Sequence, residues 1–325
     1  MTATANTVLA LLALGACALS GQVNAQNYPV KAIRIIVPFP AGGPTDTHSR
    51  WAAQQLNVAF GQPVIADNRG GAGGVIGTEA AAKSAPDGYT LLGGNPGPLT
   101  IAPSIRKQLP YDPVRDFAPI TLIAKSASCI CAHPSIPAKN LKEFIALAKA
   151  HPGKINYATP GVGTVGHFGT EFLSSLAGIK MTMVPYKGAA LYVIDVISGN
   201  IDIAFVQIAQ AAPLVRQGRM RALGVTATAR SALLPEVPTA AEQGVTGFSS
   251  YNWNGILAPA GTPKAIIDRI HAVLSKPLNT PETRKQLQDV GFEVAGDGPA
   301  EFAAFIKSET ERWAKVGKAA GIRQE

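Results

Sequence analysis

The sequence predicts an α/β protein built from two domains, each a mainly parallel sheet flanked by helices. Short apolar runs alternate with helical patterns along most of the chain, and this alternation is typical of parallel sheets. Each half of the chain also contains a strand, a glycine-rich loop and a helix start in direct succession. A length of 325 residues allows two cores of ordinary size, and a charged fraction of only 15% argues against disorder.

The first strand–loop–helix unit begins at the apolar run Ile33–Val37, which predicts a buried strand. The prolines and glycines of Pro38–Pro44 can continue neither a strand nor a helix, so we expect a loop there. Thr45 and Asp46 are residue types that cap helices, and the predicted helix ends at Gly61. Its apolar stripe consists of Ala52, Leu56 and Ala59.

The second unit lies near the middle of the chain. Ile155–Thr159 predicts a strand, Pro160–Gly166 a loop, and the residues from His167 to Ala177 a helix. Backbone N–H groups converge where such a loop enters a helix, and they favour an anion. We therefore predict that the two loops face each other across a cleft and hold a small carboxylate.

Residues Gly161–Gly166 also match the pattern G-x-G-x-x-G of dinucleotide-binding loops. That interpretation requires an acidic residue at the end of the next strand to hold the ribose, but the strand ends in Val184–Lys187 without one. The match also lies in mid-chain rather than in a first βα unit. We therefore favour a carboxylate site, with a purely structural turn as the remaining alternative.

The other predicted elements continue the alternation. The further strands are Pro63–Ala66, Tyr89–Gly93, Met181–Val184, Ile201–Val206 and Ala222–Thr226. The further helices are Val75–Ser84, one that runs from the cap Asn140 to His151, Ala189–Ser198, Ala211–Arg216, Pro263–Ser275, Pro281–Asp289 and Pro299–Ala319. Two long extended segments, Pro119–Ala132 and Tyr251–Ala258, are suited to cross between the domains.

The charge balance and the cysteines exclude several classes of protein. Lys and Arg outnumber Asp and Glu by 29 to 21, but the basic residues are scattered and aromatic residues are few, so we expect no nucleic-acid partner. Cys129 and Cys131 would lie on the same face of a strand, where we expect two buried thiols. Because no His or Cys has a spacing that suits a metal site, we also expect no metal.

The N-terminal residues 1–25 carry no charge and contain the apolar segment Thr7–Ser20, which is too short to span a bilayer. Val23–Ala25 fits a cleavage site, so we predict a signal peptide and a periplasmic mature protein. Leu14–Cys17 also resembles a lipoprotein box, which makes a lipid anchor at Cys17 the alternative. No later segment is long and apolar enough to anchor the chain.

The usual catalytic signatures are absent from the sequence. It contains no G-x-S-x-G, H-E-x-x-H, C-x-x-C, Walker A or EF-hand pattern, so we expect a binding protein without a cofactor rather than an enzyme. His167 is interpreted as a cap or packing residue or as a ligand contact, and Asp46 as a loop brace or N-cap. Phe39 and Trp253 either wall a pocket or belong to a core. The rival hypothesis is an exported enzyme that uses His167 with Thr164 or Asp46.

Several longer segments follow one another in an order that is typical of one family: IRIIVPFPAGGPTD, DNRGGAGGVIGTE, APDGYTLL, LPYDPVRDFAPIT, HPGKINYATPGVGTVGH, VPYKG and LAPAGTP. From Tyr28 to Ile322 the chain resembles the substrate-binding proteins of tripartite tricarboxylate transporters, the Bug (Bordetella uptake gene) receptors. The resemblance implies a two-domain periplasmic binding protein fold, type II-like, with two interdomain crossovers. Residues 28–126 and 248–325 would form one domain, and residues 127–247 the other.

The resemblance also implies a function. Members of this family are extracytoplasmic solute-binding proteins of the Venus flytrap type, which capture a small organic carboxylate and deliver it to a tripartite tricarboxylate-type permease in the membrane. Bridging waters would complete the clasp in place of an arginine clamp. We expect a monomer, and a carboxylate sensor that is not coupled to a permease is the alternative.

Most of the predicted ligand-binding residues lie in the two loops and are carried over by position from the family. The whole set is Phe39, Ala41, Gly42, Gly43, Thr45, Asp46, Asn95, Thr159, Gly161, Gly163, Thr164, His167, Val206 and Gln207. The sequence departs from the family pattern at Pro44, where a glycine is common, and at Val206, where many members have an aspartate. Because the acid that would meet an ammonium group is then missing, we favour an aromatic or aliphatic carboxylate without an amino group.

Overall fold

The computed structural model describes residues 27–186 and 188–322, so the predicted signal peptide and Cys17 lie outside the described residues. Within this range the strands are β1 Ile33–Val37, β2 Val64–Asn68, β3 Thr90–Gly94, β4 Phe117–Ala132, β5 Asn156–Thr159, β6 Thr182–Pro185, β7 Ile203–Gln207, β8 Arg221–Val225, β9 Tyr251–Pro259 and β10 Glu293–Asp297. The α-helices are α1 Pro44–Phe60, α2 Val75–Ala82, α3 Ala102–Ile105, α4 Leu141–Ala150, α5 Val165–Ala177, α6 Ala189–Ser198, α7 Ile208–Arg216, α8 Lys264–Leu278, α9 Pro281–Asp289 and α10 Pro299–Ala319.

Every strand and helix predicted from the sequence is present, with most ends shifted by a few residues. The sequence missed β10, a short half-buried strand whose residues EVAGD give little apolar alternation. It also missed the π-helical turn Gly97–Ile101 and the short helix α3 that follows it, because prolines and a glycine in this stretch indicated an open loop.

Helix α1 begins one residue before the predicted caps. Gly43 is the N-cap and Pro44 is the first helical residue, a position where the fixed φ of proline suits the helix and its missing N–H costs nothing. The helix ends as predicted at Gly61, whose φ of 64° is left-handed. Ala52 and Leu56 of the expected stripe are buried, whereas Ala59 is exposed.

The strands form one continuous path in the order β2-β1-β3-β9-β4-β7-β5-β6, and β8 and β10 also pair with β4. At both ends of this path the strands are parallel, as the alternation of strands and helices predicts. The long crossover strands β4 and β9 run antiparallel to each other, and they are also antiparallel to β7 and β3 respectively. Parallel βα units therefore flank a central antiparallel pair.

Strand β4 belongs to both parts of the sheet. From Phe117 to Ala127 it pairs with β9, and from Ser128 to Ala132 it pairs with β7. The pairing partner of β4 changes between the adjacent residues Ala127 and Ser128. Strand β9 begins at the same place, since its first residue, Tyr251, pairs with Ala127. The expected crossing of the chain on two extended segments is therefore present in the strand pairing.

Apolar residues pack on both faces of each part of the sheet. In the first part, one face packs against α1 and α8, and the other packs against α2 and α10. In the second part, α6 and α7 cover one face, and α4 and α5 cover the other. A fifth set of buried residues, which we name the interface cluster, joins the two parts. It consists of Ile101, Ile105, Phe168, Trp313 and Val316.

Cys129 and Cys131 are free thiols on one face of β4, fully buried in the second part, as predicted. The neighbouring Cys129 thiol and burial together raise the pKa of Cys131, so this thiol stays protonated. In the part of the chain that the structure describes, no helix combines the length and the hydropathy that a membrane span requires.

Candidate functional site

The first loop is braced by the carboxylate of Asp46, which is buried in the first turn of α1. Asp46 Oδ2 accepts hydrogen bonds from Gly42 N (2.9 Å) and Arg50 Nε (3.0 Å), and Oδ1 accepts one from Asn68 Nδ2 (2.9 Å). Burial would raise the pKa of this carboxyl, but the bonds from Arg50, Gly42 and Asn68 outweigh burial and lower the pKa to about 2. Asp46 is therefore a loop brace and stays ionised.

This brace extends to the end of β2 through residues that the sequence analysis did not single out. Arg50 Nη2 donates to Asn68 Oδ1 (2.9 Å), and Asn68 Nδ2 also donates to the carbonyl of Phe39 (3.0 Å). The spacing of Asp46 and Arg50 by four residues was the available signal, because such residues are neighbours on a helix. Asn68 gave no comparable signal, since its role depends on β2 lying beside β1.

The hydrogen bonds of Asp46 determine which backbone N–H groups of the first loop remain available to an anion. The N–H of Gly42, which has a φ of +87°, is taken by Asp46 and is not left for a ligand. The N–H groups of Thr45 and Asp46 lie in the first turn of α1, where the helix itself provides no acceptor. Ala41 and Gly42 are exposed at the tip of the loop, and Gly43 is half-buried.

Thr45 and Asn95, which lie on separate elements, are brought together. Asn95 Nδ2 donates to Thr45 Oγ1 (3.0 Å), and the N–H of Gly97 donates to Asn95 Oδ1 (3.0 Å). Both side chains are buried. Since the Thr45 oxygen accepts from Asn95, its own hydroxyl proton is left as a donor.

Phe39 packs against the turn that precedes α2. A Cβ atom at Gly74 would lie 2.9 Å from Phe39 Cζ and 3.1 Å from Pro98 Cγ, so only glycine fits there with a φ of +93°. The ring is half-buried between this turn and the segment that follows β3. Phe39 is thus a wall between the first loop and residues 97–98.

The second loop is closed by two threonine hydroxyls. Thr164 Oγ1 donates to the carbonyl of Gly161 (2.7 Å), lies 3.0 Å from Thr159 Oγ1 and accepts from the N–H of His167 (3.3 Å). Thr164 is therefore the N-cap of α5, and the helix begins at Val165, two residues before the start that the sequence indicated. The N–H groups of Val165 and Gly166 lie in the first helical turn.

His167 is buried on the first turn of α5, with its ring edge-to-face on Phe168. The N–H of Gly163 points to His167 Nδ1 at 3.3 Å, so Nδ1 is an acceptor. Burial lowers the pKa of His167 to about 4. The ring is therefore neutral near pH 7 with its proton on Nε2, which makes Nε2–H the donor that His167 can offer to a ligand.

The segment between Asn95 and Ile105 contacts both loops. Asn95 bonds to Thr45 of the first loop, and a Cβ atom at Gly163 of the second loop would lie 3.0 Å from Ile105 Cδ1. Within residues 27–186 and 188–322, no hydrogen bond joins the two loops directly. The structure thus brings both loops against one common segment.

Val206 is not at the loops. Its side chain is fully buried in the second part, in the same apolar set as Cys129 and Tyr192, so it does not wall the far end of a cleft. Alternate side chains of a strand point to opposite faces, and Phe205 and Gln207 point the other way. Phe205 lies 3.1 Å from a Cβ atom placed at Gly169 of α5, where sequence reasoning did not expect it.

Two other features, Trp253 and a groove in the second part, lie apart from the loops. Trp253 is fully buried against Phe302 and belongs to a core, in line with the second of its two interpretations. A groove of about 420 Å³ lies in the second part, but it contains none of the predicted residues. Its Arg221 guanidinium donates to the carbonyls of Ile136 and Ala138, so that charge holds a loop. In the described ranges, no cluster of three His, Cys, Asp or Glu side chains is arranged to hold a metal ion.

Comparison with known proteins identifies the family of the chain. The profile of the tripartite tricarboxylate transporter family receptor matches residues 49–322. The chain belongs to this family. The receptor is also similar to a periplasmic binding protein of known structure, BugD, with 33% identity, a TM-score of 0.77 and coverage of 92% of the receptor and 100% of BugD.

Two further solved structures resemble the receptor, and both hold a carboxylate. Rpa4515 of R. palustris with adipate has 32% identity and a TM-score of 0.81, covering 91% of the receptor and 99% of that chain. MatC of Rhodopseudomonas palustris with bound malate has 33% identity and a TM-score of 0.77, covering 89% of the receptor and 99% of that chain.

These similarities confirm the predicted family and the predicted fold class, a two-domain periplasmic binding protein fold. The matched family is a receptor family and BugD is a periplasmic binding protein, so the receptor is grouped with the extracytoplasmic solute-binding proteins.

Proposed function

We propose that the receptor captures a small organic carboxylate in a cleft between its two domains and delivers it to a tripartite tricarboxylate-type permease. The observation that carries this proposal is the pair of helix starts, α1 and α5, that meet one common segment at residues 95–105. The N-terminus of a helix favours an anion through its unpaired N–H groups and its dipole. Two relatives of the same fold hold adipate and malate.

The donors proposed for the carboxylate are neutral. They are the Thr45 hydroxyl, His167 Nε2–H and the first-turn N–H groups of α1 and α5, with bridging waters completing the shell. Neutral donors bind a carboxylate without a fixed cation, which suits a receptor that must later release it. The other predicted residues at the loops, including Gly42 and Thr159, are proposed to hold the loop shape.

The ligand is proposed to lack an amino group. The missing aspartate at Val206 no longer supports this, because that side chain faces a core. Asp46 supports it instead. Asp46 is the acidic side chain of the first loop, and its carboxylate is committed to Gly42, Arg50 and Asn68. An ammonium group would have to displace one of these partners.

The domain boundaries are proposed to be those expected from the sequence: residues 28–126 with 248–325, and residues 127–247. The change of strand partner between Ala127 and Ser128 supports this division. Ligand-induced closure of the two domains would then create the surface that the permease recognises. We propose that the receptor acts as a monomer.

The first test is native mass spectrometry of receptor purified from the periplasm, followed by a thermal-shift panel of mono- and dicarboxylates on refolded, ligand-free protein. At 100 times the dissociation constant a ligand should stabilise the receptor by about 2.7 kcal/mol. Recovery of one panel member unchanged, together with a raised melting temperature, supports a receptor. Conversion of the ligand would favour an enzyme. If no member of the panel raises the melting temperature of the folded protein, carboxylate binding is contradicted.

Coupling to a permease requires a separate measurement. Uptake of the identified carboxylate is compared in cells that express the permease subunits with and without the receptor. We expect uptake to depend on both. Uptake that is unchanged without the receptor would contradict delivery and favour a sensor.

A further inference from the structure

The crossover strands carry several buried polar side chains. Asn254 on β9 and Ser126 on β4 are 2% and 4% exposed, and Ser250, just before β9, is 2% exposed. Within residues 27–186 and 188–322, neither the amide oxygen nor the amide nitrogen of Asn254 has a hydrogen-bond partner, and neither serine hydroxyl has one. Buried polar groups are nearly always paired, so three on neighbouring positions require an explanation.

The strand register places these groups on one face. Asn254 pairs with Ala124, and Ser126 pairs with Asn252. Opposite residues of an antiparallel pair point to the same side, and so do residues two apart on one strand. Ser126, Asn252 and Asn254 therefore share a face, on which Asn252 is half-buried.

One end of this face lies beneath the first loop. Gly94 pairs with Gly255, so Asn95, which bonds to Thr45, is the next residue beside Asn254. On the same face, Ile256 packs with residues of α1, and Gly93 leaves room for the Ser49 hydroxyl of α1. Asn254 thus lies under the N-terminal end of α1.

The other end lies beneath the helix of the second loop. A Cβ atom at Gly169 of α5 would lie 2.5 Å from Ser250 Oγ, so the glycine allows the serine hydroxyl to approach the helix closely. These polar side chains therefore extend from α1 to α5, along the strands that join the two domains. We name Ser126, Ser250, Asn252 and Asn254 the polar floor.

The chemistry of the polar floor is neutral and two-sided. An amide offers both donors and an acceptor, and a hydroxyl offers both as well. Lys125, the nearest cation on β4, points to the opposite face, where its Nζ lies 4.5 Å from the ring centroid of Phe305. A group that donates and accepts without charge suits this surface better than a second carboxylate or an ammonium group.

We propose that the polar floor is a ligand subsite that binds a hydroxyl group on the carbon skeleton of the carboxylate. The subsite rests on the proposed function and deepens it, because it makes hydroxycarboxylates the preferred substrate class. A hydroxyl group that reaches Asn254 can donate to its oxygen and accept from its nitrogen. Such a ligand would give the amide of Asn254 the hydrogen-bond partners that no described side chain supplies.

The test compares carboxylates that differ by one hydroxyl group: succinate with malate, glutarate with 2-hydroxyglutarate, and benzoate with 3-hydroxybenzoate. Dissociation constants are measured by calorimetry for the full receptor and for Asn254→Leu and Ser126→Ala. We expect the hydroxylated member of at least one pair to bind about 10- to 100-fold tighter, because its hydroxyl group makes hydrogen bonds to Asn254 that the unhydroxylated member cannot make. In Asn254→Leu the ratio of the two dissociation constants within a pair should fall towards one, because the hydroxylated member binds more weakly.

Two controls accompany the variants. Thr78→Val removes a buried hydroxyl on α2, which packs on the opposite face of the sheet, and should leave the ratio unchanged. Ligand-free Asn254→Leu should melt at the same temperature as the receptor or higher, since it removes an unpaired amide. If Asn254→Leu does not fold, the ratio of dissociation constants measured for Ser126→Ala takes its place as the test of the subsite.

The outcomes separate the two proposals. Equal affinity within every pair, or a ratio that survives both floor variants, would overturn the subsite while leaving carboxylate binding intact. Absence of binding by all six compounds to the folded receptor would overturn the proposed function and the subsite together. A ratio that falls in the floor variants but not in Thr78→Val supports the subsite.

Discussion

At the scale of single residues, Asp46 presents an apparent contradiction, because it places a carboxylate in a loop proposed to bind an anion. Three hydrogen bonds, one of them from the Arg50 guanidinium, compensate this charge. The sequence allowed two interpretations of Asp46, and the choice between them depends on Asn68 of a neighbouring strand. Such a partner, 22 positions away, follows from the strand pairing and not from a local pattern.

We predict that Asp46→Asn destabilises the receptor by about 2 kcal/mol at pH 7, because the new amide group places a donor opposite another donor. The pKa of Asp46 lies at about 2, below its ordinary value of 3.8, so its stabilisation is complete above pH 3.8 and is lost as the pH falls through 2. Urea unfolding at several pH values measures this. Asp289→Asn, at an exposed ion pair with Lys285, should have little effect. Tighter carboxylate binding by Asp46→Asn would contradict the role of a brace.

His167 predicts a second pH dependence. Its pKa is lowered from 6.5 to about 4, so between these values the unfolded chain binds a proton that the folded receptor does not. Stability therefore falls as the pH decreases from 6.5 to 4, by up to about 3 kcal/mol from this residue. Burial also lowers the pKa of His48, which acts in the same direction.

We expect His167→Gln to reduce this loss, measured as the change in unfolding free energy between pH 6.5 and 4. His151→Gln, at an exposed histidine, is the matched control and should leave the slope unchanged. An unaltered slope in His167→Gln would mean that the buried ring does not titrate as described.

At the scale of elements, the helix starts were more predictable than the direction of side chains on strands. The glycine-rich loop Pro160–Gly166 predicted the start of α5 to within two residues, because loop-forming residues act locally. The face on which Val206 lies depends on the partners of β7. This strand has four apolar residues and is buried on both faces, so it shows no alternation of apolar and polar residues that would distinguish them. For the same reason the sequence does not predict that Phe205 lies against Gly169 of α5.

Two caps test the role of the second loop. Thr164→Ala removes the cap of α5, and Thr280→Ala removes the cap of α9. Each should destabilise the receptor by about 1 kcal/mol. Only Thr164→Ala should also weaken carboxylate binding in calorimetry, because Thr164 holds Gly161 and the N–H of His167 in place. Equal affinities of the two variants would exclude the second loop from the site.

At the scale of the whole molecule, the contact between the two parts depends on the interface cluster. Phe168 of α5 lies edge-to-face on Trp313 of α10, with ring centroids 6.0 Å apart. The sequence predicts the helix that carries Trp313, but it does not predict which helix Trp313 contacts. Phe168 and Trp313 are far apart in the chain, and hydrophobic periodicity does not predict a contact of this kind.

We predict that Phe168→Ala loosens the two parts relative to each other. The loss of a buried ring should cost about 3–5 kcal/mol. Phe144→Ala removes a ring of similar burial inside the second part alone and should cost a similar amount. Small-angle scattering of the ligand-free variants should show a larger radius of gyration for Phe168→Ala only. Equal radii for both variants would contradict the role of the interface cluster.

The shared strand β4 has a consequence for how such receptors diversify. The middle segment leaves the first part after Ala127 and returns at Tyr251, and these two residues pair side by side. A piece of chain whose entry and exit are neighbours can be exchanged as a cassette, because the surrounding strands keep their positions whatever is inserted. Recombination at this pair would combine the first loop of one receptor with the second loop of another, and so generate new ligand preferences without a new scaffold.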